Sequence, residues 1–541
     1  MSVNSLYNIG ESALIANKTA LAVTSNNIAN VNTPDYCEES VTLQIAPTSS
    51  IGVGQAGSGV MATNTTRSYN SFLEAQLLNE QQHQSASASL NTSWGQVQDV
   101  LNEAQGIGLS APLANFFNDW NEVATDPQNS AARTQLLQDA NTFVQTAQSI
   151  ESSINDTVNN DNANISSDAT QTNSLASQIA GLNQQIVAAQ ANGTDASNLQ
   201  DQQDAALTSL AKLVDFTSYT DQNGSLTVVV GNQNLVSGNQ TNQMTTGTDT
   251  NGNATVVLGG TDITSNIQGG DIGGLIQARN GIQTTTLAGL NLLVASLAQQ
   301  VNSLQSQGYG LDGSTGNNLF TLPVPTVNNS ASATITPPAI TGPAALTTNE
   351  YEITFNAAGT TYNINNKQTG ALVTTGAYTS GSPISFNGLS FTITGAVSKT
   401  DTFTIGSPLP TAISSLDVAI TDPNQIAAAA TAAGVPGDNT NANQIAQLAN
   451  TAIGTLGNET FSGYYSGIVA TVGSTNQNTS DSLTYNNSLL SQLQSSRDSV
   501  SAVSLDQEAT NLMMYQNAYE AGEQVIKVAG ELVQSLLALI S

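Results

Sequence analysis

Basic residues are scarce in this 541-residue chain. Nine Lys and Arg stand against 39 Asp and Glu, a net charge of −30, and only 9% of residues are charged. Nucleic-acid binding needs clustered Lys and Arg, so that class is set aside. Asn, Gln, Ser and Thr must cover the surface instead. One cysteine, Cys37, excludes an internal disulfide, which suits export of an unfolded chain and suits a cytosolic protein equally. With one histidine, His83, no zinc-ligand set can form. His83 lies in the polar run Glu80 to Gln84 and reads as a surface residue; nothing positions it against Cys37 as a nucleophile pair. Aromatics are 5% of the chain, too few to suggest a sugar cleft around a carboxylate pair. The N-terminus lacks a basic region followed by an apolar run, so no cleavable secretory signal is expected. There is no run of eighteen apolar residues, and Val533 to Ile540 is too short to span a bilayer, so no membrane insertion is expected. No catalytic, metal or cofactor-binding residues are assigned.

What is present is periodicity at both ends. Leu505, Leu512, Tyr519, Ile526, Val533 and Ile540 recur every seven residues. Tyr515, Gly522, Ala529 and Leu536 occupy the companion positions, and Glu508 is the one charged exception. Ser504 with Gln507 reads as a capping box, which predicts one helix of about 36 residues. Each large seam side chain gains roughly 1.5–3 kcal/mol on burial, so the stripe needs a cover, either partner helices or the protein's own core. Residues 5–30 predict a second amphipathic helix through Leu6, Ile9, Ala13, Ala16, Ala20 and Val23, widened by Leu14, Leu21 and Ile28. The two terminal helices are expected to pack together.

Between them the period alternates. Residues 38–70 read as short strands and turns, with a Gly-rich loop from Ile51 to Val60 and a solvated acidic loop at Glu38-Glu39. Helical spacing runs from about Phe72 to Leu213, through Leu113, Phe116, Phe117 and Trp120, then Leu136 to Ile186. A hairpin follows around Asp221-Gln222-Asn223-Gly224, and strands extend to about Ile267. Leu275 to Gln307 is helical, 320–420 alternates as strands, helices return from about Asn424, and a long one spans roughly Asn458 to Val500. Gly269 to Gly274 lacks the Lys-Ser/Thr of a phosphate loop and reads as a linker; Asp249 to Asn253 lacks a bidentate Glu for calcium and reads as a turn.

The expected fold is α+β and multidomain: paired terminal coiled-coil helices, a long-helix bundle and inserted all-β modules. The expected divisions are 1–35 with 501–541 as the terminal helical domain; 36–215, 271–319 and 421–500 as the helical bundle; 216–270 as a small β module; and 320–420 as an outer β insert.

The ends carry recognisable stretches. Ser25 to Tyr36, SNNIANVNTPDY, resembles the N-terminal signature of the axial proteins of the bacterial flagellum, S-N-N-I-A-N-x-N-T-P-G-Y. Ser504 to Ala509 with Asn511-Leu512, Tyr515-Gln516 and Ala518-Tyr519 resembles their C-terminal signature. Inside the chain, four stretches resemble the hook-associated protein 1 family. These are Phe116 to Trp120 with Pro127 and Ala132-Arg133, Asn198 to Asp204, Gly269 to Leu275, and Val301-Asn302 with Gly308 and Leu319-Phe320. Three departures stand out. Asp35 replaces the usual Gly, which questions the turn after Pro34. Cys37, Glu38 and Glu39 replace a polar and basic run, which would rewire contacts to a neighbouring subunit. Gln203 replaces an Arg, which removes one ion pair with Asp201 or Asp204.

The resemblance implies a structural protein, exported without a cleaved signal by the flagellar type III apparatus. It would polymerise as a ring zone joining hook to filament. The implied partners are its own copies, the hook protein, a second hook-associated junction protein, and a cytoplasmic chaperone on the C-terminal helix. The implied assembly surface is Leu6, Ile9, Ala13, Ala16, Ala20, Val23 and Ile28 with Leu505, Leu512, Tyr515, Tyr519, Ile526, Ala529, Val533 and Leu536. Competing readings are a hook protein, a muramidase, or an adhesin using the β insert.

Overall fold

The computed structural model describes residues 3–33, 35–46, 57–103, 106–222, 224–321, 327–329, 333–341, 349–406 and 411–540. Part of the expected 51–60 loop, Pro34 and the hairpin residue Asn223 lie outside them. The helices are α1 (Val3–Asn30), α2 (Ser71–Val100), α3 (Ser110–Thr125), α4 (Ser130–Ala191), α5 (Ser197–Leu213), α6 (Gly270–Gly281), α7 (Ala288–Gln305), α8 (Thr440–Gln447), α9 (Phe461–Ser501) and α10 (Leu505–Ile540). A π-helical turn, Ile282–Leu287, joins α6 to α7. The fold is α+β, with long terminal helices and several small antiparallel sheets. Contacts divide the chain into two units. The first comprises Met1–Leu90, Asn162–Ile276 and Thr479–Ser541; the second comprises Asn91–Asp161 and Gln277–Asn478. Helices α2, α4, α6 and α9 contribute residues to both.

In the first unit, β1 (Glu39–Ile45) and β2 (Val60–Arg67) form a hairpin beside α1. Strands β3 (Thr217–Thr220), β4 (Leu226–Val230), β5 (Gln233–Ser237) and β6 (Gln240–Thr241) make one meander; β7 (Met244–Thr248), β8 (Ala254–Leu258) and β9 (Thr261–Asp262) make another. Val228, Val230, Val256 and Leu258 point one way because side chains alternate along a strand. They bury against Ile165, Ile179, Leu210 and Ile272 from the helices. Asn183 of α4 fixes this packing: its amide donates to the Leu226 and Gly238 carbonyls and accepts from the Leu226 N–H. The Asp249 carboxylate accepts from the Asn251 and Asn253 amides, so that segment is the β7–β8 turn.

Gly270 to Gly274 is the first turn of α6 rather than a linker. A Cβ at Gly274 would lie 2.4 Å from the Ala86 carbonyl oxygen, so glycine lets α6 meet the α2 backbone. The Gly270–Gln305 helix is long and apolar enough to cross a membrane, but 61% of its most apolar window is buried in protein.

In the second unit, Phe116 lies 5.6 Å from Phe320 and 6.5 Å from Phe143, ring to ring, and Phe117 stacks on Phe461 at 6.0 Å. Arg133 is buried and donates to the carbonyls of Pro127, Pro423 and Ile426; burial pushes its pKa down to about 10. Asn302 exchanges two hydrogen bonds with the Phe320 backbone. The interior motifs are therefore packing devices. Regular helix does not return at Asn424 as expected. Short 3-10 turns occupy Pro423–Gln425 and Ala432–Gly434, and Ala429 pairs with Tyr309 in extended form, so α8 starts only at Thr440.

The β insert holds β10 (Val327–Asn329), β11 (Thr334–Ile335), β12 (Ala339–Ile340), β13 (Tyr351–Phe355), β14 (Thr361–Asn366), β15 (Leu372–Ala377), β16 (Pro383–Phe386), β17 (Leu389–Thr394) and β18 (Thr402–Ile405). Its sheets, β10-β18-β13-β14-β15 and one built on β17, share a core of Ile353, Ile364, Phe391, Ile393, Phe403 and Ile405.

Candidate assembly interface

Helices α1 and α10 pack antiparallel, because small residues let them approach. A Cβ at Gly10 would lie 2.7 Å from Ile526 Cγ1; one at Gly522 would lie 3.1 Å from Leu14 and 3.6 Å from Ala13. Ala16, Ala20 and Ala529 are buried in this contact. Leu6, Ile9, Ala13, Val23, Ile28, Leu512, Tyr515, Tyr519 and Ile526 are half-buried. Leu505, Val533 and Leu536 remain exposed, Leu536 at 49%. The middle of the C-terminal seam is thus covered by the chain's own N-terminal helix, and its ends are not. The seam position of Ile540 was expected from the heptad; its side chain lies outside the described residues.

A second stripe, unremarked in the sequence reading, runs along α10. Met514, Ala518, Ala521, Val525, Val528 and Leu532 alternate by four and three, the spacing of a coiled-coil seam. Met514 and Val528 are each 52% exposed. The signal lay in the sequence, but the first heptad masked it.

The base of the helix pair is polar. Asn27 acts like a strand edge: its amide donates to the Glu39 carbonyl at 2.8 Å and accepts from the Glu39 N–H at 3.0 Å. The Tyr36 hydroxyl donates to Asn27 Oδ1 at 2.8 Å. Glu39 and Cys37 are therefore buried and Glu38 half-buried, which corrects the reading of Glu38-Glu39 as a solvated loop. Burial pushes the Cys37 thiol up to about 11, keeping it protonated and unreactive. Asp35 adopts φ 61°, the conformation a Gly would take freely, and its carboxylate pairs with Arg497 at 2.6 Å. Arg67 bridges Asp201 and Asp204, each at 2.5 Å, so the carboxylates keep a cation although Gln203 replaces the usual Arg. Gln203 instead donates to Asn183 at 2.9 Å. Burial raises Asp201 to about 6, against the pull of Arg67. Burial also raises Glu74 to about 7, against the pull of Arg497. Asp35, Glu74, Asp204 and Arg497 line a cavity of about 250 Å³ here. Arg67, Glu74 and Arg497 had no sequence signal, because nothing in local spacing says which distant cation meets which carboxylate. Among the described residues no group of three or more His, Cys, Asp or Glu side chains is placed to hold a metal ion.

Residues 94–320 match the flagellar hook-associated protein FlgK helical domain. Residues 8–36 match the flagella basal body rod protein family, and 494–539 match the flagellar basal body rod FlgEFG protein C-terminal family. The flagellar hook-associated protein 1 of Salmonella typhimurium strain LT2 is 28% identical over 99% of this chain and 100% of that protein. The Escherichia coli K12 protein of the same name is 26% identical over the same shares. The structure of the flagellar hook junction protein FlgK from Burkholderia pseudomallei covers 79% of this chain and 100% of that one, with 21% identity and a TM-score of 0.64; it shows a shared fold.

Proposed function

We infer that the chain belongs to the flagellar hook-associated protein 1 family, and from that premise that it is a structural axial protein joining the hook of the bacterial flagellum to its filament. The observation that carries the mechanism is α10 itself. Its inner seam is consumed by α1, and its outer stripe, with Leu505, Val533 and Leu536, is left for other molecules. Burying such side chains between copies supplies roughly 1.5–3 kcal/mol each, enough in sum to drive polymerisation into a ring zone. The assembly surface proposed from the sequence then divides in two. Ala13, Ala16, Ala20, Leu512, Tyr515, Tyr519, Ile526 and Ala529, with Leu6, Ile9, Val23 and Ile28, hold the two ends of one chain together. The exposed residues make contacts between chains.

The remaining parts of the reading follow from the family and these faces. The neighbours are copies of the chain, the hook protein and a second hook-associated protein. The chain acts extracellularly, reaches its place by type III export without a cleaved signal, and works without catalysis. Before export its uncovered apolar stripe is an aggregation hazard, which a chaperone on α10 removes.

Electron microscopy of cells lacking the gene, with flagellin assayed in the medium, tests the function. Finished hooks without filaments and flagellin lost to the medium are expected. Missing hooks would indicate a hook or rod component, and normal flagella would refute the junction role.

A further inference from the structure

Five aromatic side chains are exposed among the described residues: Tyr7, Tyr69, Phe72, Tyr219 and Tyr485. Two of them, Tyr69 and Tyr219, line one groove of about 560 Å³ in the first unit. Aromatics are 5% of this chain, and most of them are spent on cores. Two exposed tyrosines on one groove fit a recognition surface, where Tyr, Trp and Arg carry most of the binding energy.

The groove lining carries more acid than base. Its charged lining residues are Arg67, Glu74 and Asp204. Arg67 is already engaged, bridging Asp201 and Asp204 with its guanidinium 4.8 Å from the centre of the Tyr69 ring. Among the described residues no group donates a hydrogen bond to the Glu74 carboxylate. The groove therefore offers the exposed Tyr219 ring and a Glu74 carboxyl that accepts no hydrogen bond and that burial keeps about half protonated near pH 7, so that a bound cation would ionise it. This is what a Lys or Arg side chain reads: ring faces attract a cation, and a carboxylate pairs with it.

We propose that this groove receives a Lys- or Arg-bearing segment of a different protein in the axial assembly. Resting on the junction reading above, the proposal names one contact that reading leaves open. A second copy of the chain is the poorer donor. Five of its nine cations are already held: Arg67 and Arg497 by carboxylates, Lys367 by Glu350, Arg133 by carbonyls, and Arg279 in a buried position. The remaining four are lysines on a chain of net charge −30, whose copies repel one another at long range.

Full-length chain is mixed with isolated hooks and, separately, with purified second hook-associated protein, and co-sedimentation is measured at low and high salt. Its own polymerisation is followed by light scattering. Tyr219→Ala and Glu74→Lys are compared with wild type, and Glu74→Gln isolates the charge; Tyr219 is 59% exposed, so its truncation spares the fold. Expected are tenfold or greater weakening of one heterotypic interaction by Tyr219→Ala and Glu74→Lys, a smaller loss with Glu74→Gln, and a salt dependence reduced in the charge variants. Self-polymerisation stays unchanged in Tyr219→Ala, whose position lies away from the terminal pair. Heterotypic binding at wild-type strength in all variants would overturn the proposal, and so would loss of self-polymerisation alone, which would make a second copy the occupant. If wild type binds neither hooks nor the second protein, it is the junction reading that fails.

Discussion

Helices α7 and α10 are both rich in Leu, Val and Ala, yet they have opposite fates. Of the 18 residues in α7, 12 are buried. In the 36-residue α10, the buried side chains are Glu508 and Ala529, with Gly522 at the crossing. α7 carries no charged side chain and α10 carries six, but the apolar share of α10 does not by itself say what covers it; its neighbours do. α7 meets Ala412 and other apolar groups of its own chain, whereas α10 meets a single helix along one face. A helix that keeps apolar residues on two faces and covers one is built for a second encounter. Residues that hold the monomer together are thus distinct from the exposed ones to which the proposed assembly assigns contacts between monomers.

The hardest blow to that distinction is Leu512→Asp with Tyr519→Asp. Charges in the α1–α10 contact should open the pair and abolish polymerisation, while calorimetry shows the second unit melting as before; normal filaments in such a strain would refute the terminal-helix mechanism. Next comes Leu293→Ala in α7. Leu293 is fully buried, so the change should cost about 2–5 kcal/mol in denaturant unfolding. The pH dependence is smaller. α7 holds no titratable side chain, whereas Glu74 sits at the base of the terminal pair. Its carboxyl goes from 4.5 to about 7 on folding, so the folded state binds the extra proton between those values. Stability should therefore rise on acidification from pH 8 to 5 and fall again as pH rises through 7. Glu74→Gln should flatten this by about 1–2 kcal/mol, allowing for solvent screening. The smallest effect on the monomer sharpens the contrast most. Leu532→Ala, the same chemical change as at Leu293, should shift unfolding by less than about 0.5 kcal/mol, yet raise the concentration needed for polymerisation.

The sequence made α10 legible almost to the residue, because a heptad over five turns of repeat has one structural meaning. It also told that the two ends pair. It did not tell which stripe faces inward. Two seams with the same period coexist on α10, and only the approach of Gly10 to Ile526 chooses between them. The polar base was less legible still. Asp35 looked like a defect where Gly is usual. The structure keeps the glycine-like backbone and uses the side chain on Arg497, a partner 462 residues away. Glu39 looked solvated because two adjacent acids suggest a surface, but Asn27 holds its backbone inward.

The antiparallel register carries a last implication. With Gly10 opposite Ile526, Leu536 and Leu537 lie beyond the described contact with α1 and are exposed. If copies were to add head to tail on that end, each would bring an identical uncovered end of its own, and the stack would close on an unmet face however long it grew. Addition of that kind carries no count of copies within it.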